Sequence, residues 1–407
     1  VFNCAITPSP MCVPARISMI TGKYPSETGM WNNKARKTEE DYLTCYFKNA
    51  GYNTASFGKR HYETDESAFE TEISIEYSDE VDAQDYNEKY DEKEYDVIKY
   101  RGKTRWILGG VFPAAATETQ ESRLIEHAKK FLEQTGNEPF LVRLSFTGPH
   151  TPVSVPQPFD TVIDDDRIKI PVETEGRRKE MPSWARILAD EYSGSDRLTR
   201  QEIEKARRYY YGYVSYIDFE IGKFLGWMKN KGLLDNTIVV FVSDHGTHIG
   251  DYGFVQKQTF YDPVVNVPFI FWYPGHFKAE TKINTPVETR WLLPTLLDIA
   301  GIDMPERTNC NFLTNTLKRG VEPESKIVRS EFILNSIPRL DKDRIFIVRD
   351  GEWKLSACYD ENNRLKDVFL HNMLKDPYEQ ENLSHNDNYK KISDRLIKEI
   401  EKCIKDN

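Results

Sequence analysis

Three short, almost wholly apolar runs bounded by turn residues constrain this chain most: PFLVRLSF at 139–146, TIVVFV at 237–242 and VPFIFWY at 267–273. Runs of this length suit strands that are covered on both faces of a sheet. Between the first two lies a long helical pattern. Ile203, Ala206, Tyr210, Tyr213, Val214, Ile217, Ile221, Phe224, Leu225 and Met228 recur at helical spacing, and Gly232 follows as a stop. A second amphipathic stretch covers 121–134, with Leu124, Ile125, Ala128, Phe131 and Leu132 on one face and Gly136 after it. Strands alternate with helices, so the fold class is α/β: a mixed, mostly parallel sheet sandwiched by crossover helices.

From about residue 340 the pattern changes to short strands, RIFIVRDG, EWKLSACY and DVFLHN. They are closed by a helix with Tyr389, Ile392, Leu396, Ile397, Ile400 and Ile404 on one face. This predicts a small antiparallel sheet plus helix over 339–407, appended to a main domain over 1–338. The tyrosines of YYYGYVSYIDF read as core or interface rather than as a ligand box. The acidic, tyrosine-rich stretch 64–98 reads as a solvated excursion or lid, and the proline- and charge-rich stretch 153–200 as a long irregular insertion.

A net charge of −10 argues against a nucleic-acid partner, because phosphate backbones are bound by basic surfaces. It leaves room for an anionic substrate in a locally positive pocket. No apolar run approaches the ~18 residues of a membrane span. Six scattered cysteines make no disulfide framework. Cys403, on the apolar face of the last helix, reads as core, and Cys4, Cys45, Cys310 and Cys358 read as structural.

The run PSPMCVPARISMITGKYP carries chemistry. Pro14 suits a helix start and Gly22 a stop, which predicts a helix over 14–21 with Cys12 at its N-terminus. Unpaired N–H groups and the helix dipole favour an anion there, and Arg16 adds a planar donor fork fit for sulfate or phosphate oxygens. On these grounds alone, Cys12 is either a buried structural thiol or part of an anion site. Ser243-Asp244-His245-Gly246 follows directly on a predicted strand, so Asp244 emerges where open α/β sheets place their ligands.

The pattern C-x-P-x-R followed by T-G resembles the signature of type I sulfatases, of the alkaline phosphatase superfamily, whose cysteine is oxidised to formylglycine. Further segments resemble the family in order. GYNTASFGKRHY (51–62) supplies Lys59 and His61, SFTGPHTP (145–152) His150, and IVVFVSDHGTHIGDYG (238–253) Asp244 and His245; Lys257 falls at a second anion-binding lysine. GEWKLS (351–356) and DPYEQENL (376–383) resemble the C-terminal subdomain of that family.

The resemblance implies an alkaline phosphatase-like fold and a sulfuric ester hydrolase acting on a sulfate monoester, with a sulfated carbohydrate favoured over other small molecules. It implies formylglycine from Cys12, whose hydrate attacks sulfur to give a sulfated enzyme. Arg16, Lys59 and Lys257 would clamp the ester oxygens, His150 would protonate the leaving oxygen, and His61 would assist near the diol. Asp244, His245 and residue 12 would hold one divalent cation. Calcium prefers oxygen ligands, and a histidine suits manganese or zinc better; family usage puts calcium first, with magnesium or manganese as alternatives. His248 is not carried over as a ligand. A formylglycine-generating maturation enzyme is the implied partner, and an extracytoplasmic location the implied compartment.

The family normally opens with a strand ending in paired aspartate ligands, some tens of residues before the cysteine. Only eleven residues precede Cys12, so a native N-terminal segment is expected ahead of Val1. Two rival readings stand beside the sulfatase. One is a phosphonate monoester or phosphodiester hydrolase of the same superfamily, to which Asn32 and Asn33 would contribute; the other is a non-catalytic glycan-binding relative.

Overall fold

The structure, a computed structural model, describes residues 1–33, 41–61, 69, 71–73, 96–101, 107–169, 181–304, 311–324, 327–334 and 337–405. Most of the predicted acidic excursion at 64–98, residues 170–180 of the predicted insertion, and Cys310 lie outside them. The chain divides into two compact units. One comprises Val1–Tyr46, Val172–Tyr192 and Asn236–Asn407, the other Phe47–Pro171 and Ser193–Asp235.

The first unit opens with helix α1 (Cys12–Thr21), preceded by extended Met11, whose side chain makes no cap bond, and closed by Gly22 at φ 73°, whose N–H donates to Ser18 O at 2.9 Å. The helix starts two residues earlier than predicted. Pro14 is its third residue, where an N–H would have no intrahelical acceptor, so the ring is tolerated. Every residue of α1 except Arg16 is buried.

In the second unit, β1 (Asn53–Gly58) pairs in parallel with β2 (Thr71–Ile73) on one edge. Helix α2 (Gln120–Thr135) then precedes β3 (Phe140–Ser145), which pairs in parallel with the other edge of β1, Gly58 opposite Ser145. Leu124, Ile125, Ala128, Phe131 and Leu132 form the buried face of α2, as predicted. Helix α3 (Arg200–Asn230) buries a face turned from the predicted one: Tyr209, Tyr213, Tyr216, Ile217, Phe224 and Met228 are inside, while Val214 is 44% exposed. Two features turn it. Gly212 lets the helix backbone meet the Phe159 carbonyl, where a Cβ would overlap. Hydroxyls also find partners inside, Tyr209 donating to Asp96 Oδ2 at 2.7 Å and Tyr216 to the Ala116 carbonyl at 3.0 Å, which offsets their desolvation.

The first unit continues with β4 (Val239–Val242), antiparallel to β5 (Phe269–Trp272). Phe269 and Phe271 pack on Phe2 in the core, whereas Phe241 and Trp272 are exposed, so this pair is covered on one face rather than on both as its apolar sequence predicts. A four-stranded antiparallel sheet follows in sequential order: β6 (Ile327–Ile333), β7 (Arg344–Asp350), β8 (Trp353–Tyr359) and β9 (Leu365–Asn372). Its first strand precedes residue 339. Helix α4 (Lys390–Lys405) lays Leu396 and Ile400 on Phe346, Leu355, Ala357 and Leu370. None of the five described cysteines forms a disulfide. No helix among the described residues is long and apolar enough to cross a membrane.

The two C-terminal sequence segments meet in a buried charge cluster. Lys354 Nζ donates to Asp262 Oδ1 at 2.7 Å and Glu379 Oε1 at 2.9 Å, and Arg349 reaches Asp262 Oδ2 at 3.2 Å. Burial pushes Glu379 from 4.5 up to about 7, with Asp262 adding to the rise and Lys354 opposing it. Burial holds the nearby His371 down from 6.5 to about 4, with the Lys354 charge adding. The folded state therefore holds an extra proton at Glu379 between pH 4.5 and 7, a contribution present at low pH and lost as pH rises. At His371 the unfolded chain holds the extra proton, so that contribution is present above pH 6.5 and lost as pH falls towards 4. Glu379→Gln removes the first slope. The thermal midpoint of this variant, followed by calorimetry, is expected to climb more steeply than the parent's between pH 4.5 and 6.5; parallel curves would contradict the assignment.

Candidate active site

Five of the eight candidate residues converge in the first unit. Cys12 begins α1 and Arg16 follows one turn later on the same face. Asp244 and His245 follow β4 and Ser243, and the turn closes because Gly246 has no side chain: its N–H donates to Val264 O at 2.7 Å, and a Cβ would overlap the Pro263 carbonyl. Lys257 sits between Gln256 at φ 72° and Gln258 at φ 71°. Left-handed backbone at non-glycine residues costs about 1–3 kcal/mol each and persists where surrounding structure enforces it, often at functional sites.

The contacts are direct. Arg16 Nε donates to Asp244 Oδ2 at 2.7 Å, and the other carboxylate oxygen accepts the His245 N–H at 3.0 Å. His245 Nδ1 lies 2.8 Å from the Gly246 carbonyl, an acceptor only, so Nδ1 carries the hydrogen and Nε2 presents its lone pair. That nitrogen faces Cys12 Sγ at 3.2 Å. Lys257 Nζ donates to both, at 2.8 Å to Sγ and 3.0 Å to Nε2. Cys12 is 1% exposed, so these charges act on a nearly water-free atom.

Cys12 Sγ, an Asp244 oxygen and His245 Nε2 lie within 4.8 Å of one another, close enough to share one metal ion. The His245 tautomer, held through Gly246, is the one a ligating imidazole needs. Thiolate, imidazole and carboxylate together suit a transition metal; replacing sulfur by oxygen at residue 12 moves the set towards harder cations.

The other three candidates belong to the second unit. Lys59 directly follows β1; its N–H donates to Ser145 O at 2.9 Å and its carbonyl accepts from Arg143 at 2.6 Å. His61, two residues on, is left-handed at φ 61°. His150 stands in the turn after β3, its N–H donating to Thr147 O at 3.1 Å and its Nδ1 to Thr151 O at 2.6 Å. Because β1 and β3 are parallel neighbours, all three emerge at the same C-terminal end of one ladder, the end at which α/β sheets bind ligands.

Some supporting residues escape sequence reasoning. Asn33 Oδ1 accepts the Val13 N–H at 3.0 Å and caps α1 in place of Met11, a structural use of a residue named above only under the phosphonate hydrolase reading. Asn33→Ala is expected to lower stability by about 1 kcal/mol, read by chemical denaturation. Thr7 donates to the Asp244 carbonyl at 2.5 Å. His248, not carried over as a ligand, is buried in an aromatic nest, its Nε2 2.7 Å from Thr259 Oγ1. No sequence signal short of the fold pairs these partners.

The family profile described as Sulfatase matches residues 1–302, and that described as N-sulphoglucosamine sulphohydrolase, C-terminal, matches 250–406. The chain belongs to the sulfatase family. As a sulfatase it is a sulfuric ester hydrolase. It is 29% identical to the ulvan-active sulfatase of Formosa agariphila over 99% of this chain and 73% of that protein, and 25% identical to the choline-sulfatase of Rhizobium meliloti over 95% and 75%. The sulfatase fold also superposes on the phosphonate monoester hydrolase of Agrobacterium radiobacter, with a TM-score of 0.80 at 21% identity over 100% of this chain and 88% of that one. A protein solved with its substrate D-glucosamine-2-N,6-O-disulfate gives 0.74 at 20% identity over 100% and 91%. The fold is that of the alkaline phosphatase superfamily, α/β with a parallel ladder and a small C-terminal antiparallel sheet. A divalent cation and formylglycine are general features of the family, and the Cys12, Asp244 and His245 cluster is the candidate metal site.

Proposed function

We propose that this sulfatase releases sulfate from a sulfated carbohydrate and that the residue 12 cluster is its reacting centre. The observation that carries the reading is the packing of Cys12 Sγ against Lys257 Nζ and His245 Nε2, with Arg16 on Asp244 one helical turn away. A nucleophile precursor, two cations and three candidate metal donors then share a single half-buried spot around a buried thiol, an arrangement a purely structural thiol does not need.

In this reading Asp244, His245 and residue 12 would hold the cation, calcium first, and its charge would supply Lewis acidity to the nucleophile and offset charge on the ester. Formylglycine, made from Cys12 by a maturation enzyme, supplies a hydrated aldehyde hydroxyl as nucleophile. Arg16, Lys257 and Lys59 bind the sulfuryl oxygens and stabilise the charge that spreads over them. Nδ1 of His150 is committed to the Thr151 carbonyl, so Nε2 is the nitrogen that delivers a proton to the leaving oxygen. His61 is assigned a supporting role in the same chemistry. The sugar preference draws support from the ulvan-active relative and the glucosamine disulfate complex, and an extracytoplasmic location belongs to the same proposal.

The test is peptide mass spectrometry at residue 12 after co-expression with a formylglycine-generating enzyme, followed by paired assays on sulfated disaccharides and an aryl phosphonate monoester. Conversion of the cysteine together with sugar sulfate turnover supports the proposal. Phosphonate preference would move the function to the phosphonate hydrolases, and an unmodified thiol with full activity would sink the mechanism.

A further inference from the structure

We infer that Glu121 and Tyr213 are positioning residues that hold the His150 loop as a proton donor; the inference rests on the assignment of His150 as the acid. Glu121 lies in the first turn of α2 and is 1% exposed. Its Oε1 accepts the Gly148 N–H at 3.2 Å and its Oε2 the Tyr213 hydroxyl at 2.9 Å. One carboxylate thus ties together α2, α3 and the loop that carries His150. The Tyr213 ring also lies close against that loop, since a Cβ at Gly148 would overlap it.

A buried carboxylate that accepts two donors in a low-dielectric setting makes strong, directional bonds. Here one of those bonds ends two residues before the histidine. The ring is held from the far side, through Nδ1 and the Thr151 carbonyl, and the turn by the His150 N–H on Thr147 O. Nε2 therefore has its place set from both sides of the loop. A second tie between the same helices, Thr119 Oγ1 with the Tyr216 hydroxyl, keeps α3 from drifting when the Glu121 bond is weakened. As the sulfur–oxygen bond breaks, the bridging oxygen keeps the electron pair and takes the His150 proton, while the sulfuryl group passes to the nucleophile. A misplaced donor slows that step in proportion to how much the leaving oxygen needs the proton.

The test compares Glu121→Gln, Tyr213→Phe and His150→Ala in the matured enzyme, measuring kcat/KM on para-nitrophenyl, phenyl and para-methoxyphenyl sulfates. Tyr213→Phe keeps the ring against Gly148 and removes only the hydroxyl. Both positioning variants are expected to lose roughly ten-fold more on the phenyl and methoxyphenyl esters than on the nitrophenyl ester, whose phenolate leaves without help. His150→Ala should show the same trend more steeply. A flat response in His150→Ala overturns the acid assignment itself. A steep response there with uniform losses in Glu121→Gln and Tyr213→Phe overturns the positioning role alone. A crystal structure of Glu121→Ala, in which neither bond can form, reads the same point without turnover: a loop at 147–150 that moves supports the role, and one that superposes on the parent overturns it.

Discussion

Cys12→Ala is expected to remove sulfate release, a fall on the order of 10⁴- to 10⁶-fold in kcat, as when the nucleophile of other hydrolases is deleted. The Lys257 ammonium and the His245 imidazole stand against Sγ, and neither can become an aldehyde hydrate in its place. Folding should survive the change, since Lys257 and His245 still pair at 3.0 Å and one sulfur atom is lost from the first turn of a well-buried helix. The expected cost is about 1 kcal/mol. Ion chromatography of released sulfate, alongside calorimetric melting, separates the two effects. A variant that retains a tenth of the parent's rate would show that residue 12 is not the nucleophile.

Asp244→Ala should be the more damaging change to the molecule as a whole. Its carboxylate partners Arg16, both side chains being only about a tenth exposed (13% and 11%), and it is one of three donors in the candidate metal cluster. Removing one member of a buried ion pair leaves the other charged and desolvated, a cost of about 3 kcal/mol, the low end of the usual range because both groups touch solvent. Loss of the metal donor adds a catalytic defect on the order of 10³-fold. Asp244→Asn distinguishes the two, because an amide oxygen still accepts the Arg16 N–H but is a far weaker ligand. Titration calorimetry with calcium, magnesium and manganese should then show lost binding in both variants, with the melting point falling mainly in the alanine variant. Calcium binding at parental strength in Asp244→Ala would remove Asp244 from the metal site.

Both predictions concern residues that the amino-acid sequence singles out by spacing. Cys12 and Arg16 stand four apart, so any helix through them aligns them, and Asp244 directly after an apolar strand must emerge at a strand end. Spacing misplaces the start of α1, because its cap is Asn33, twenty residues downstream, and not a neighbour of Met11. Periodicity also misorients the inner face of α3, because hydropathy ranks Val214 above Tyr216. Burial of a hydroxyl depends on whether a distant chain segment offers a partner, as Ala116 does.

Local order therefore lies in the sequence: the α/β alternation, the cysteine at a helix mouth, the Asp-His-Gly turn, and the antiparallel character of the C-terminal strands. These follow from period, capping and turn chemistry, which act over a few residues. Tertiary structure alone decides that Lys257 bonds to both Cys12 and His245, that Gly246 donates to the Val264 carbonyl, and that Glu121 holds Gly148. Each of these joins segments far apart in the chain through contacts of 2.7 to 3.2 Å, and a contact at that range is set by packing, which no local pattern encodes.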